Sequence, residues 1–280
     1  MIDLKDKLDE IVEDLHLGFH GLKTGNRTLD YITGGFRDND LILLAARPAM
    51  GKTSFALKII EEVALKNREK CILFSLEESA YQIGRRIISH LTKKRYSYVK
   101  PLVEENGQVS KIKEDIEGNV LYIDDSPCVS TDYIRAKCKE NMDNERIRLV
   151  VVDYLQLCHK EGFKKVKDLH ESLLRDLKSL AEELACPVLV LAQVGRKPEL
   201  REDKRPLMSD LDDVKAVGEI ADVVLFLYRE EYYYPDTFEK GVTEVNVARN
   251  QHGRTGMLKV SFYSEYAGFG DDFSRGIVNS

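Results

Sequence analysis

From Asp40 onward, short uninterrupted apolar runs alternate with stretches whose apolar residues return every three or four positions. The runs are Leu41–Ala45, Cys71–Ser75, Val120–Ile123, Leu149–Val152, Val188–Leu191, Val223–Leu227, Val242–Val247 and Met257–Phe262. Val, Ile and Leu without apolar/polar alternation suit strands buried on both faces of a parallel sheet, with helices between them. The last two runs are separated by a Gly-containing turn and predict an antiparallel hairpin at one edge. The fold class that follows is α/β, a doubly wound, mostly parallel sheet. Upstream, Ile2, Leu4, Leu8, Ile11, Val12 and Leu15 recur at helical spacing among Asp, Glu and Lys. They predict an amphipathic helix, set off from the rest by the Gly-rich stretch from Gly18 to Gly25. The expected organisation is a linker helix over 1–18 and one α/β domain over 19–280. That helix either folds back on its own domain or docks on a neighbouring subunit, and the pattern supports both equally.

Composition narrows the class. With 43% hydrophobic and 32% charged residues over 280 positions, the chain has enough apolar mass for a large core and is not disordered. No apolar run approaches the roughly 20 residues of a membrane span, and the N-terminus lacks signal-peptide character. Cys71, Cys128, Cys138, Cys158 and Cys186 form no CxxC pair, which predicts free thiols in a reducing cytoplasm and no structural zinc. The net charge of -6 argues against a protein that simply coats DNA, but not against one that grips it with local loops.

The chemistry concentrates after the first run. Ala46-Arg47-Pro48-Ala49-Met50-Gly51-Lys52-Thr53-Ser54 follows a strand and opens a helix, the context of a phosphate-binding loop. Gly51 lets backbone amides close on an anion, Lys52 reaches the β and γ phosphates, and Thr53 offers a hydroxyl to Mg²⁺. The usual leading Gly is replaced by Ala46. Asp153 ends a strand where a carboxylate can hold the water shell of Mg²⁺, although a strand-end Asp also caps turns. Glu77 and Glu78 end another strand, and either carboxylate can polarise an attacking water. Gln193, beyond the Val188–Leu191 run, suits a γ-phosphate sensor, but alone reads better as a satisfied loop amide.

Together these residues resemble the RecA-like ATPase domain of DnaB-type replicative helicases, over about 24–269. Thr24-Gly25, Leu29-Asp30 and Gly35-Phe36 resemble that family's opening segment. Ala45–Thr53 is close to its Walker A variant, which accounts for Ala46, and Phe74-Ser75-Leu76-Glu77 resembles the strand with its catalytic glutamate. Arg86 falls where the family has an arginine on the next helix. Val152–Leu157 is similar to the Walker B block, and Lys204-Arg205-Pro206, Ser209–Leu211 and Ala221-Asp222 to the segment with a DNA-facing loop. Tyr266–Phe269 fits the family's ending.

The resemblance implies ATP and Mg as cofactors, a homo-hexameric ring with shared sites, translocation 5′-to-3′ on single-stranded DNA, and primase or a helicase loader as partner. It places the basic finger in Arg249–Arg254. Arg249 stands for the usual lysine and Gln251 for the usual arginine, with Arg254 as a compensating charge. It places DNA contacts at Lys164, Lys165 and Lys167 after Walker B, and at Lys215 beside Asp212-Asp213, whose carboxylates repel a phosphate backbone. Because Gln251 and Asp212 depart from the family, the competing expectation is an ATP-binding regulator or loader with weak or no unwinding. A strand-exchange recombinase shares the core but neither the Walker B block nor the 204–211 block.

Overall fold

The computed structural model describes residues 21–99, 113–114, 120–142, 145–160, 162–163, 165–211, 214–270 and 277–278, with the backbone alone at 214, 215, 277 and 278. The amphipathic segment at 2–16, Lys164 and Asp212-Asp213 lie outside the described residues.

All eight apolar runs form strands: β1 (Leu41–Ala46), β2 (Lys70–Ser75), β3 (Leu121–Asp124), β4 (Ile147–Asp153), β5 (Val188–Gln193), β6 (Val223–Tyr228), β7 (Val242–Asn250) and β8 (Gly256–Tyr263). Two short strands, β9 (Gly268–Phe269) and β10 (Ile277–Val278), join them. The order is β10-β8-β7-β6-β1-β5-β4-β2-β3, with β9 on β8. From β6 to β3 all neighbours are parallel, and β7, β8 and β10 extend the sheet antiparallel at one side. The strand order and the two short strands go beyond the sequence pattern. β7 also outruns its apolar run by three residues, because past a bulge at Ala248 the ladder resumes with Arg249 and Asn250 against the start of β6.

Helices cover both faces. β1 is wholly buried, and its residues alternate between two cores. Ile42, Leu44 and Ala46 face α1 (Arg27–Thr33) and α2 (Lys52–Ile60), while Leu41, Leu43 and Ala45 face α4 (Thr131–Glu140), α5 (Val166–Leu184) and α6 (Val214–Ile220). A strand buried on both sides has no use for alternation, which explains its unbroken apolar run. α3 (Ala80–Thr92) starts with a capping box in which Ser79 and Gln82 exchange hydrogen bonds. Among the described residues, no helix is long and apolar enough to cross a membrane. All five cysteines are free thiols, and burial pushes those of Cys138, Cys158 and Cys186 up to about 12.

Candidate active site

Parallel pairing aligns the polar strand ends. Ala46 is in register with Gln193, and Ser75 with Asp153. The C-terminal ends of β1, β5, β4 and β2 therefore bring the loops bearing Lys52, Gln193, Asp153 and Glu77 to one edge of the sheet. Ligands bind at that edge in open α/β sheets.

The loop from Arg47 to Gly51 turns β1 into α2 through two left-handed residues, Ala49 (φ 64) and Gly51 (φ 96). Glycine suits the second because the conformation is strained for any other residue, although an added Cβ would make only ordinary contact with Phe269 at 3.4 Å. α1, α3 and α4 each have a side-chain cap from Asn26, Ser79 or Ser130, whereas α2 has none. Its first N–H groups and its dipole are left for an anion.

Around this helix end a pocket of ≈ 280 Å³ is lined by Pro48, Ala49, Gly51, Lys52, Thr53, Ser54, Glu77, Glu78, Arg86, Asp153, Tyr154, Gln193, Phe262 and Ala267. Three residues of the loop stand apart from that lining. Ala46 and Met50 are buried in the core. Arg47 turns away, donating to Glu199 Oε1 from Nε at 3.0 Å and from Nη2 at 2.5 Å, and to the Val194 carbonyl from Nη1 at 2.8 Å.

Lys52 and Asp153 form the electrostatic centre. Burial pulls the Lys52 ammonium below its usual range, against the attraction of Asp153 and Glu77. Burial likewise pushes the Asp153 carboxyl up to about 6, although Thr53 Oγ1 donates to its Oδ2 at 2.7 Å and Lys52 favours its charged form. Both groups are short of counter-charge, which a phosphate beside the lysine and a dication beside the carboxylate would supply. Thr53 and Asp153 present two adjacent oxygens at the pocket, a donor set that fits Mg²⁺, which takes few protein ligands and several oxygens from phosphate or water.

The adjacent carboxylates separate cleanly. Glu78 is held bidentately by Arg86, at 2.6 Å from Nε and 2.7 Å from Nη2. Glu77 is exposed, and its charge acts on both Lys52 and Asp153. Gln193 reaches the pocket from the end of β5, and Gln156 clamps its backbone by donating to the Gln193 carbonyl (3.0 Å) and accepting from its N–H (3.2 Å).

Sequence reasoning left Tyr154, Phe262 and Ala267 out of the site, and noted Arg86 only by resemblance. Arg86 enters because the capped α3 aims it back at the strand end. Phe262 enters from β8, far along the chain, with the Arg229 guanidinium 3.8 Å from its ring centre and Phe269 edge-on at 5.2 Å. No local pattern at 262 or 267 marks them.

The finger segment lies elsewhere. Asn250 and Arg249 pair with Val223 and Val224 at the start of β6, so the β7–β8 turn lies at the N-terminal edge of the sheet. The six-residue β1 separates that edge from the phosphate loop by roughly 20 Å. Arg249 Nε donates to the Ala221 carbonyl at 2.8 Å, and Arg254 Nη1 to the Tyr31 hydroxyl at 3.0 Å. Gln251 is exposed at the tip. None of these side chains spans the sheet to its own chain's pocket.

Of the lysines expected to meet DNA, Lys165 and Lys167 are exposed where α5 begins, on the phosphate-loop side. Lys164 and the side chain of Lys215 fall outside the described residues. The 201–211 segment is knitted to its own domain: Arg201 pairs with Asp210 at 2.6 Å, and Arg205 with Glu244 at 2.6 Å.

The DnaB-like helicase C terminal domain family matches residues 21–271. The replicative DNA helicase DnaB of Geobacillus stearothermophilus is 38% identical over 254 residues, covering 89% of this chain and 56% of that protein. The replicative DNA helicase DnaC of Bacillus subtilis (strain 168) is 37% identical over the same shares. The chain thus spans little more than half the length of these curated relatives. Among solved structures, one described as an ATPase domain has a TM-score of 0.87 at 30% identity, covering 95% of this chain and 98% of that one. A DnaB-like replicative helicase, described with its interactions with primase, has a TM-score of 0.84 at 29% identity, covering 96% and 67%.

Proposed function

Since this chain belongs to the DnaB-like helicase C terminal domain family, we propose that it is the ATP-hydrolysing motor of a replicative DNA helicase, working as a homo-hexameric ring on single-stranded DNA. One observation carries the shared-site reading. The phosphate loop and the basic hairpin lie on opposite edges of one sheet, out of reach of each other within one chain, which supports a site shared between neighbouring copies.

The residues divide the reaction between them. The α2 N-terminus and Lys52 take the β and γ phosphates and offset the charge that builds during transfer. Thr53 and Asp153 would hold Mg²⁺, which would neutralise charge on the phosphates. Glu77, the unpaired carboxylate, orients the attacking water and accepts its proton. Glu78 fixes Arg86 at the wall, and Gln193 reads the γ-phosphate. Arg249 or Arg254 of the adjacent copy completes the site in place of the family's finger at Gln251, a role that contributes on the order of 10³–10⁵ in rate when fully met.

Lys165 and Lys167 are the proposed DNA contacts among the described side chains, with Lys164 and Lys215 completing the set. Movement is 5′-to-3′, in keeping with the resemblance, and primase or a helicase loader is the expected protein partner, tested by co-sedimentation.

The deciding experiment measures ATP turnover with and without single-stranded DNA, alongside strand separation on forks bearing a 5′ or a 3′ tail. DNA-stimulated turnover with unwinding from the 5′ tail is the expected result. Nucleotide binding with neither would reject the motor in favour of a regulator or loader.

A further inference from the structure

The turn between β7 and β8 rests on polar contacts that neither the motif nor the shared-site reading assigns a task. Asn250 ties the turn to itself and to α1, donating from Nδ2 to the carbonyls of Arg254 (2.9 Å) and Ile32 (3.1 Å). The Gln251 N–H donates to the Asp222 carbonyl at 2.9 Å. His252 reaches across to the foot of β1, where its Nε2 donates to Asp40 Oδ1 at 2.6 Å. Asp40 is 3% exposed at its side chain, and its Oδ2 accepts from the Arg37 N–H. Asp222 Oδ2 accepts from the Leu41 N–H (2.7 Å) and from Lys178 Nζ (2.8 Å).

His252, Asp40 and Asp222 bring metal-type ligand atoms within 4.8 Å of one another. The Lys178 ammonium already supplies the cation there, so the cluster is a closed hydrogen-bond network rather than a metal site. Its effect is mechanical. The β6–β7 ladder bulges between Val224 and Leu225, resumes at Val224–Arg249 and ends at Val223–Asn250, so strand pairing stops short of the turn at 251–254. A bond from the tip to a buried carboxylate at the base of the central strand sets it firmly.

We propose that His252 is the positioning residue of this hairpin: its bond to Asp40 holds the 249–254 turn in the pose that presents Arg249 and Arg254 to the next subunit's phosphate site. The role rests on the shared-site reading above, and the test separates the two.

ATP turnover is measured on assembled protein with DNA for His252→Ala, His252→Gln, Arg249→Ala and Arg254→Ala. Misplacing a reacting group by about 1 Å can reduce rate on the order of 10²-fold, so His252→Ala is expected to lower kcat by roughly 10–10²-fold. KM for ATP stays within about twofold, because the alanine variant keeps its own phosphate loop. His252→Gln, whose amide N–H₂ still reaches the carboxylate, recovers most of kcat. Normal kcat in His252→Ala, alongside slowed Arg249→Ala or Arg254→Ala, overturns the proposal and leaves the shared site standing. So does a loss in His252→Ala that His252→Gln shares in full, with a matching fall in Tm, because the residue is then only structural. Normal turnover in both arginine variants removes the shared site itself, and the positioning role with it.

Discussion

The two edges of the sheet handle charge in opposite ways. At the C-terminal edge, polar groups converge with too few partners: Lys52 and Asp153 are both displaced from their ordinary titration by burial, Glu77 stands exposed, and α2 begins without a side-chain cap. At the N-terminal edge the polar side chains named above each have a partner within the chain, charged for Lys178 and neutral for the two arginines. Lys178 pairs with Asp222, His252 with Asp40, Arg249 with a carbonyl and Arg254 with Tyr31. An edge left short of counter-charge is built to receive an ion. An edge whose polar groups are satisfied is built to keep a shape, here the shape of a hairpin offered outward.

The comparison breaks most sharply at Lys52. Replacing it with alanine removes the cation that a triphosphate would meet in the proposed site, and leaves Asp153 and Glu77 to repel the anion. We expect Lys52→Ala to lower kcat/KM for ATP on the order of 10⁴-fold or more, with nucleotide binding largely lost in titration calorimetry. Near-normal turnover would mean that the uncompensated edge is not the phosphate site.

The paired glutamates give the next largest effect. Glu77→Gln keeps shape and removes the proposed base, so hydrolysis should fall roughly 10²–10³-fold with ATP still bound. Glu78→Gln loosens Arg86 without touching the water and should change kcat only a few-fold, on the scale of a partly exposed ion pair. Single-turnover kinetics on both variants decides the order, and the reverse ranking moves the base by one residue.

Much of the C-terminal edge was legible in the sequence because its parts are local. Ala46 to Ser54 is one continuous stretch, Asp153 closes an apolar run, and the eight runs themselves announced the sheet. The choice between Glu77 and Glu78 needed resemblance, and geometry then gave an independent reason, since Arg86 engages only one of them. The N-terminal edge was legible only as a departure from a family pattern. The contacts of its turn join 252 to 40 and 251 to 222, and that of its β7 arm joins 249 to 221. Side chains brought together by strand order leave no spacing to read. Phe262 and Ala267 were not read as site residues for the same reason: they reach the pocket only because β8 and β9 fold beside α2.

A smaller effect concerns the DNA face. Lys165 and Lys167 are exposed at the start of α5. Each phosphate contact on a single strand contributes about 0.7 to the slope of log affinity against log salt. Lys165→Ala and Lys167→Ala should each flatten that slope by about this amount while leaving ATP turnover without DNA unchanged. Unaltered slopes in both would remove these lysines from the DNA path.

The smallest expected effect sharpens the comparison most, because Arg47 lies in the phosphate loop yet behaves like a residue of the opposite edge. Its guanidinium is committed to Glu199 and to the Val194 carbonyl, so it has little left to offer a phosphate. Burial is uneven across the pair, 11% exposed for Arg47 and 38% for Glu199 at the side chains, and an ion pair that meets water on one side contributes about 1 kcal/mol or less. Arg47→Ala should therefore leave ATP affinity within about threefold, and Glu199→Gln should do the same, with the double variant no worse than either alone if the two act only through each other. A loss approaching that of Lys52→Ala would show Arg47 swinging into the pocket when nucleotide binds. The division between an edge that waits for charge and an edge that holds its own would then run through the loop itself rather than across the sheet.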